Sequence, residues 1–358
     1  MANSNSDVIL EVKGLKTYFP LEEGTVRAVE GVDFEIYRNK TVCIVGESGC
    51  GKSVTAHSIL KIVEPPGEVV GGQMLFHREA RSGDGFQMSD VIDLAALSPG
   101  SEEMRKIRGD EISMIFQEPM TALSPVHTIG NQIMESMLLH LDVNKAEARD
   151  RTIKLLQRVG IPEPEQRIDS YTFQLSGGMR QRAMIAMALA CNPSMLIADE
   201  PTTALDVTTQ AKILELMMEL QQDYGMAVMY ITHDLGVVAE IADEVVVMYL
   251  GQTVEQGGVR QIFHDPQHPY TRALLRSIPK LGIRARGELK AIRGMVPHPY
   301  NRPKACAFRP RCSEYDPTLC DPGQPPSLTR LEDGRRVRCW LYERDRETSE
   351  TRETVESS

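Results

Sequence analysis

Short apolar segments rich in β-branched residues alternate along most of the chain with longer segments whose apolar residues recur at helical spacing. The first pattern is typical of buried strands and the second of helices. The first predicts strands at Val8–Val12, Ala28–Ile36, Thr41–Val45, Ile112–Phe116, Met195–Ala198, Met226–Ile231 and Glu244–Leu250. The second predicts helices from Lys52 to about Val63 and at Ser176–Cys191, Val207–Tyr224 and Leu235–Ile241. This alternation predicts an α/β fold with a mostly parallel sheet covered on both faces.

Two segments interrupt the α/β pattern. Thr128–His140 and Lys145–Val159 show helical spacing and no strand signal. They predict a helical subdomain inserted at about residues 119–175. Arg78–Pro99 is polar and contains Ser82-Gly83-Asp84-Gly85, which predicts a surface insertion.

The composition changes after about Gly258, where Pro, His and Arg become frequent. Four of the seven cysteines lie in this part of the chain: Cys306, Cys312, Cys320 and Cys339. The final segment, Glu343–Ser358, is charged and has Val355 as its only apolar residue, which predicts a disordered tail. We therefore predict three parts, at residues 7–258, 259–342 and 343–358.

Charge and hydropathy restrict the function. The 358 residues include 40 Lys and Arg against 50 Asp and Glu, and the net charge of −10 argues against a general nucleic-acid-binding surface. No uninterrupted apolar stretch reaches the roughly 18 residues of a membrane span. The first residues lack the basic and apolar blocks of a secretory signal. We expect a cytoplasmic protein that contacts the membrane only through partners.

A phosphate-binding loop follows the predicted strand Thr41–Val45. Gly46-Glu47-Ser48-Gly49-Cys50-Gly51-Lys52-Ser53 fits the pattern G-x-x-x-x-G-K-S/T. Its glycines let backbone N–H groups surround phosphate oxygens, Lys52 reaches the β- and γ-phosphates, and the Ser53 hydroxyl ligates Mg²⁺. A chance glycine-rich turn is the alternative, but the flanking strand and helix oppose it. We assign nucleotide binding to Gly46, Ser48, Gly49, Cys50, Gly51, Lys52, Ser53 and Val54.

Two acidic residues follow the apolar strand Met195–Ala198. Asp199 is predicted to hold Mg²⁺, and Glu200 to orient and deprotonate the attacking water. Adjacent strand residues point to opposite faces, but the chain turns at a strand end, so both can serve one site. The alternative is an acidic turn before Pro201.

Leu175-Ser176-Gly177-Gly178-Met179 forms a second candidate phosphate site. Ser176 caps a helix, and the two glycines expose N–H groups at its positive end. This segment resembles the signature of ABC transporter ATPases. The resemblance implies a P-loop NTPase fold with an antiparallel N-terminal β part. It also implies that the signature faces the γ-phosphate bound by another subunit, so that two chains enclose two ATP molecules.

Other residues resemble this family one by one, over about residues 7–258. Gln117 resembles the glutamine that senses Mg²⁺ and water, and Asp206 in Ala204-Leu205-Asp206 resembles the loop that crosses the dimer interface. His233 resembles the histidine that contacts the γ-phosphate. Phe19 resembles the aromatic residue that stacks on adenine, with Tyr18 as its competitor.

One departure from the family is mild. Asn39-Lys40 stands where the family has Gly-Glu, which predicts a changed turn without catalytic loss.

Residues 117–125 and His268–Leu275 resemble the ATPases of peptide and nickel importers, most closely the D-type ATPase subunit of dipeptide/oligopeptide importers. The resemblance implies two transmembrane permeases, an extracytoplasmic substrate-binding protein and a second, different ATPase that forms a heterodimer with this chain. It places the chain at the cytoplasmic face of the inner membrane. The same ATPase role in a nickel or oligosaccharide importer is the alternative. A soluble ABC ATPase of DNA repair or translation is opposed by the single cassette and the absence of a heptad run.

The four clustered cysteines suggest metal ligation, because cytosolic proteins rarely keep structural disulfides. Their spacing lacks the paired C-x2-C knuckles of common zinc sites, and thiolates suit either Zn²⁺ or an iron–sulfur cluster. Four free thiols are the alternative. The family resemblance implies a 4Fe–4S cluster, which could act as a redox or iron sensor. Five arginines could offset its charge or form a solvated face: Arg309, Arg311, Arg335, Arg336 and Arg338.

Overall fold

The computed structural model describes residues 7–82, 85–118, 122–203, 205–277, 292–298, 300, 302–320 and 323–343. Residues 119–121, where we placed the start of the helical subdomain, lie outside this part of the chain. Ala204 and residues 344–358 of the predicted tail also lie outside it.

The described residues form strands and helices in the order that the apolar pattern indicates. The strands are β1 (Val8–Leu21), β2 (Gly24–Tyr37), β3 (Thr41–Val45), β4 (Glu68–Ser82), β5 (Gly85–Asp93), β6 (Ile112–Ile115), β7 (Met195–Asp199), β8 (Ala227–Ile231), β9 (Glu244–Tyr249), β10 (Gln252–Gly258), β11 (Thr329–Arg330) and β12 (Arg336–Val337). The α-helices are α1 (Lys52–Ile59), α2 (Glu102–Lys106), α3 (Ile129–His140), α4 (Lys145–Arg158), α5 (Pro164–Arg167), α6 (Gly177–Ala188), α7 (Val207–Tyr224), α8 (Leu235–Ile241), α9 (Val259–His264) and α10 (Pro269–Arg276).

The larger sheet has the strand order β11-β12-β10-β9-β3-β8-β7-β6. The strands from β9 to β6 run parallel, and β10, β12 and β11 add antiparallel strands at one side. Along β3, Val42 and Ile44 pack into one apolar cluster, while Cys43 and Val45 pack into the cluster on the opposite face. The predicted α/β fold, with a mostly parallel sheet covered on both faces, is therefore confirmed.

The smaller sheet is antiparallel and has the order β2-β1-β4-β5. We expected a surface insertion at Arg78–Pro99, but most of this segment belongs to the strands β4 and β5. β4 pairs with β5 antiparallel out to Ser82 and Gly85, which extends the sheet by one strand. Polar residues predominate because a strand at a sheet edge needs few apolar side chains.

Polar side chains determine where several helices begin. The Asn144 side chain accepts hydrogen bonds from the N–H groups of Ala146 and Glu147, and the Glu147 carboxylate accepts one from the Asn144 N–H. Other helices begin in the same way, at a residue whose side chain accepts an N–H from the first turn, among them those that follow Thr128, Ser176, Asp206 and Asp234. Such caps satisfy N–H groups that have no partner within the helix.

The predicted turn at Asn39-Lys40 contains a left-handed residue. Asn39 has φ 54°, a conformation that asparagine tolerates better than most residues. The Lys40 ammonium lies 2.7 Å from the Asp243 carboxylate. The turn thus joins β2 to β3 without a glycine.

The segment after Gly258 is attached directly to the larger sheet, because β12 pairs with β10. Arg338 donates from Nε to the Thr253 carbonyl oxygen at 2.8 Å and from Nη2 to the Asp33 carboxylate at 3.0 Å. Arg336 pairs with Glu35. These two arginines hold the C-terminal segment on β2 and β10, so they do not form a solvated face.

No helix within the described ranges combines the length and the apolar character needed to cross a membrane.

Candidate nucleotide site

Two positions of the loop between β3 and α1 have room only for glycine. Gly46 has φ 154°, and a Cβ placed on it would lie 2.3 Å from the Met248 carbonyl oxygen. Gly51 has φ 96°, and a Cβ there would lie 2.3 Å from the Ala28 carbonyl oxygen. The loop therefore packs directly against the backbone of β9 and β2. This close approach keeps its N–H groups at the end of the sheet.

Lys52 is buried and lies back over the loop. Its ammonium donates to the Gly46 carbonyl oxygen at 2.9 Å and to the Glu47 carbonyl oxygen at 3.2 Å. Cys50 is buried, and its N–H donates to the Glu47 carbonyl oxygen at 3.2 Å. Ser48 lies on the exposed side of the same loop. The lysine is thus already placed at the loop that would surround the phosphates.

Asp199, at the end of β7, has the chemistry of a cation ligand. Its carboxyl is hydrogen-bonded to Ser53, and its Oδ1 is buried without a hydrogen-bond partner among the described residues. Burial raises the pKa of this carboxyl, while the Ser53 hydrogen bond lowers it. A buried carboxylate oxygen without a partner, beside a hydroxyl and the phosphate loop, fits a Mg²⁺ ion.

Glu200 lies where three predicted site residues meet. Its Oε1 is 3.1 Å from His233 Nδ1, and its Oε2 accepts from Gln117 Nε2 at 3.3 Å. Oε2 also accepts from the Thr203 hydroxyl at 3.0 Å. The parallel strands β6, β7 and β8 bring these residues to one edge of the sheet, although they are far apart in sequence.

The backbone turns sharply at Glu200. Its φ is 45°, in the left-handed region that costs a residue with a Cβ about 1–3 kcal/mol. Its N–H donates to the Ile231 carbonyl oxygen at 2.9 Å, which fixes the turn against β8. The turn lets Asp199 and Glu200 lie at the same edge.

The predicted signature lies at the start of α6. The Ser176 hydroxyl accepts from the Met179 N–H at 3.3 Å, while Leu175 is buried and Ser176 and Gly177 are exposed. Across the described ranges, no hydrogen bond or ion pair joins this segment to the phosphate loop. The exposed start of α6 therefore makes no polar contact with the nucleotide loop of the same chain within the described residues.

Asp206 is exposed and begins α7. Its carboxylate accepts from the Thr209 N–H at 3.0 Å and from the Thr209 hydroxyl at 2.8 Å, and these bonds lower the pKa of Asp206. The structure therefore gives Asp206 a local capping function. Its predicted position at a dimer interface stays a prediction.

The two candidate adenine residues lie on β1 and have different surroundings. The Tyr18 hydroxyl donates to the Glu30 carboxylate at 2.9 Å, and the Arg27 guanidinium lies 5.6 Å from the centre of its ring. The half-buried Phe19 ring lies beside Val63 and Gly67, close to the end of α1. Because Tyr18 already interacts with Glu30 and Arg27, Phe19 stays the better candidate for stacking on adenine.

All four C-terminal cysteines line one cavity, together with His268 and Phe308. Burial raises the pKa of Cys312 to about 11 and that of Cys339 to about 12. No group of three or more His, Cys, Asp or Glu side chains in the described chain is arranged to hold a metal ion. The donor chemistry suits a thiolate-bound centre, whereas the side chains as placed do not form a ligand set.

Two residues beside the phosphate loop were missed by sequence reasoning. The Tyr270 hydroxyl accepts from the Glu47 N–H at 3.0 Å, and Arg311 forms an ion pair with the Glu47 carboxylate at 2.6 Å. Both lie more than two hundred residues after the loop. Tyr270 belongs to the segment His268–Leu275, which resembles the ATPases of peptide and nickel importers. That resemblance indicated that the segment matters but gave Tyr270 no role.

Comparisons with known proteins agree with this geometry. The family described as "ABC transporter" matches residues 29–203, and "Oligopeptide/dipeptide transporter, C-terminal region" matches residues 254–320. Oligopeptide transport ATP-binding protein AppD of Bacillus subtilis is 50% identical over 337 residues, covering 94% of this chain and 98% of that protein. Dipeptide transport ATP-binding protein DppD of Escherichia coli is 46% identical over 331 residues, covering 92% and 96%.

The fold is also found in solved structures. A dimeric ATP-binding cassette in a post-hydrolysis state bound to ADP and Pi has a TM-score of 0.60 and 26% identity, over 70% of this chain and 99% of that one. Such similarity over nearly the whole solved cassette agrees with the loop, the acidic strand end and the helical segment described above. The chain therefore belongs to the ABC transporter family of ATP-binding proteins, among those that carry the oligopeptide/dipeptide transporter C-terminal region.

Proposed function

We propose that this chain hydrolyses ATP to drive the import of dipeptides or oligopeptides. The observation that carries the proposal is that Gln117 and His233 each lie within hydrogen-bonding distance of the Glu200 carboxylate, next to Asp199, which is hydrogen-bonded to Ser53 of the phosphate loop. Relatives over nearly the whole chain are named for peptide import, which supports peptides rather than nickel or oligosaccharides as cargo.

Each residue at this edge has a chemical task. Lys52 and the loop N–H groups bind the phosphates, and Phe19 packs against the base. Ser53, Asp199 and Gln117 would hold Mg²⁺, which when bound would offset the negative charge of the phosphates. Glu200 accepts the proton of the water that attacks the γ-phosphorus, as the bond to the ADP oxygen breaks. His233 holds the Glu200 carboxylate in position.

The exposed signature supports a working unit of two ATPases. Ser176 and Gly177 are exposed at the N-terminus of α6, and this end of the helix can bind the γ-phosphate held by a partner. ATP binding closes the pair and moves the permeases, and hydrolysis opens it again. The partner is a second ATPase that is homologous to this chain but has a different sequence, so the pair is a heterodimer.

The chain lies at the cytoplasmic face of the inner membrane, held there by two permeases that receive peptide from an extracytoplasmic binding protein. Exposed apolar side chains around the start of α3 support this arrangement, since Thr128 forms a β-bridge with Tyr171. Val126 is 73% exposed and Phe173 is 67% exposed, and the Phe173 ring stacks on that of Tyr171 at 5.5 Å. Exposed apolar patches of this kind are typical of protein interfaces.

We further propose that Cys306, Cys312, Cys320 and Cys339 hold a 4Fe–4S cluster, with Zn²⁺ as the alternative. Their position around one cavity supports this, as does the loop-rich chain that carries them. A metal centre would order this region, and its binding would release protons because burial raises the thiol pKa values.

We expect Glu200→Gln to bind ATP but to lower its hydrolysis rate by at least about a hundredfold, because the amide cannot accept the proton of water. The protein should purify with bound ATP in a closed dimer, measured by nucleotide content and light scattering. Glu215→Gln, an exposed change on α7, is the matched control and should behave as wild type. Wild-type turnover in Glu200→Gln would remove Glu200 from the role of general base.

We expect Phe173→Ala to weaken co-purification of the two permeases by about tenfold, because an aromatic anchor is lost from the interface. ATP binding by the isolated chain should not change. Leu139→Ala is the control, since Leu139 belongs to α3 and is 73% exposed, about as much as Phe173. Equal recovery of permeases with both variants would show that Phe173 is not part of the docking surface.

Protein purified without oxygen should be brown and should contain iron and sulfide, because a 4Fe–4S cluster absorbs visible light. Cys306→Ser should lose the colour and the iron, while Cys191→Ser, a buried cysteine outside the cavity, should keep both. Colourless wild-type protein with stoichiometric zinc would reject the cluster in favour of zinc. Protein with neither metal would reject both.

A further inference from the structure

Glu47 places a carboxylate in the loop that binds phosphates. It is neutralised by Arg311, which donates from Nη1 to Oε2 at 2.6 Å and from Nη2 to Oε1 at 2.9 Å. The Arg311 side chain is 3% exposed, so water screens this pair weakly. Paired, parallel hydrogen bonds of this type are among the strongest polar contacts in proteins.

Arg311 is held in place by contacts of its own. Its Nε donates to the Arg293 carbonyl oxygen at 3.1 Å, and its guanidinium lies 5.8 Å from the centre of the Tyr249 ring. The fully buried Tyr270 accepts from the Glu47 N–H through its hydroxyl. The backbone and the side chain of Glu47 are thus both held by residues from beyond the core ATPase sequence.

These contacts continue to the cysteine-lined cavity. The buried Phe308 lines that cavity, and its ring lies 5.2 Å from the ring of Tyr249 and 5.3 Å from that of Tyr270. Arg311 directly precedes Cys312, which lines the same cavity. One packed group of side chains therefore joins the cavity wall to the phosphate loop.

We propose that Arg311 is a positioning residue for ATP, by which the C-terminal region controls the affinity of the phosphate loop. The inference rests on the proposed function, since it concerns the same nucleotide site. ATP carries several negative charges on its phosphates, and a Glu47 carboxylate without Arg311 would repel them. Arg311 both removes that repulsion and anchors the loop. A change in the cysteine cavity would reach the loop through Arg311, Tyr270 and Phe308.

The test is a double-mutant cycle in the dissociation constant of ATP, measured by fluorescence titration of the full chain. We expect Arg311→Met to raise the constant about tenfold, because the half-buried Glu47 carboxylate loses its partner. Glu47→Gln alone should change it by less than about threefold. The double variant should bind more tightly than Arg311→Met, because the repelling carboxylate is gone. Arg330→Met, at an exposed position of β11 outside that cavity, is the control and should bind as wild type.

Turnover at saturating ATP separates positioning from catalysis, and Arg311→Met should keep a wild-type kcat with a raised KM. If Arg311→Met is too unstable to purify, Arg311→Lys keeps the charge without the paired geometry and should raise the constant by a smaller factor. An unchanged constant in Arg311→Met, or a double variant as weak as that single one, would overturn the proposal. Failure of wild-type protein to bind ATP would instead overturn the proposed function.

Discussion

The parallel arrangement of β9, β3, β8, β7 and β6 is the constraint on which the rest of the molecule depends. Because these strands are buried on both faces, polar groups can emerge only where they end. Parallel strands end at one edge, so the loop after β3, the two acids at the end of β7 and His233 after β8 meet there. This topology brings the site residues together although they are far apart in sequence.

The C-terminal region is built onto this framework through charged groups. Arg338 pairs with Asp33 on β2, and Arg311 pairs with Glu47 in the phosphate loop. Buried ion pairs contribute little net stability, because removing both charges from water offsets most of their attraction. They do fix geometry, since a misplaced partner leaves a buried charge uncompensated. The region therefore attaches in one register and contacts the ATP site directly.

Local features of the fold were predictable from the sequence, and contacts between distant segments were not. The strand and helix around Lys52 and the cap at Ser176 depend on neighbouring residues, so their patterns carry the information. The hairpin of β4 and β5 was missed because polar edge strands resemble loops. The partner of Arg311 could not be predicted, because no spacing rule joins it to Glu47. The parallel strands are buried on both faces, so they appear in the sequence as continuous apolar runs. Their ends could therefore be predicted to within a few residues.

The central claim is that the sheet edge of one chain holds one nucleotide by itself, while its signature serves the nucleotide of a partner. The most direct test is the dissociation constant of Mg-ATP for the isolated chain, compared between Lys52→Ala and Ser176→Arg. The account predicts that Lys52→Ala abolishes binding and that Ser176→Arg binds as tightly as wild type. Loss of binding in both variants would contradict it, because both loops would then serve the same nucleotide.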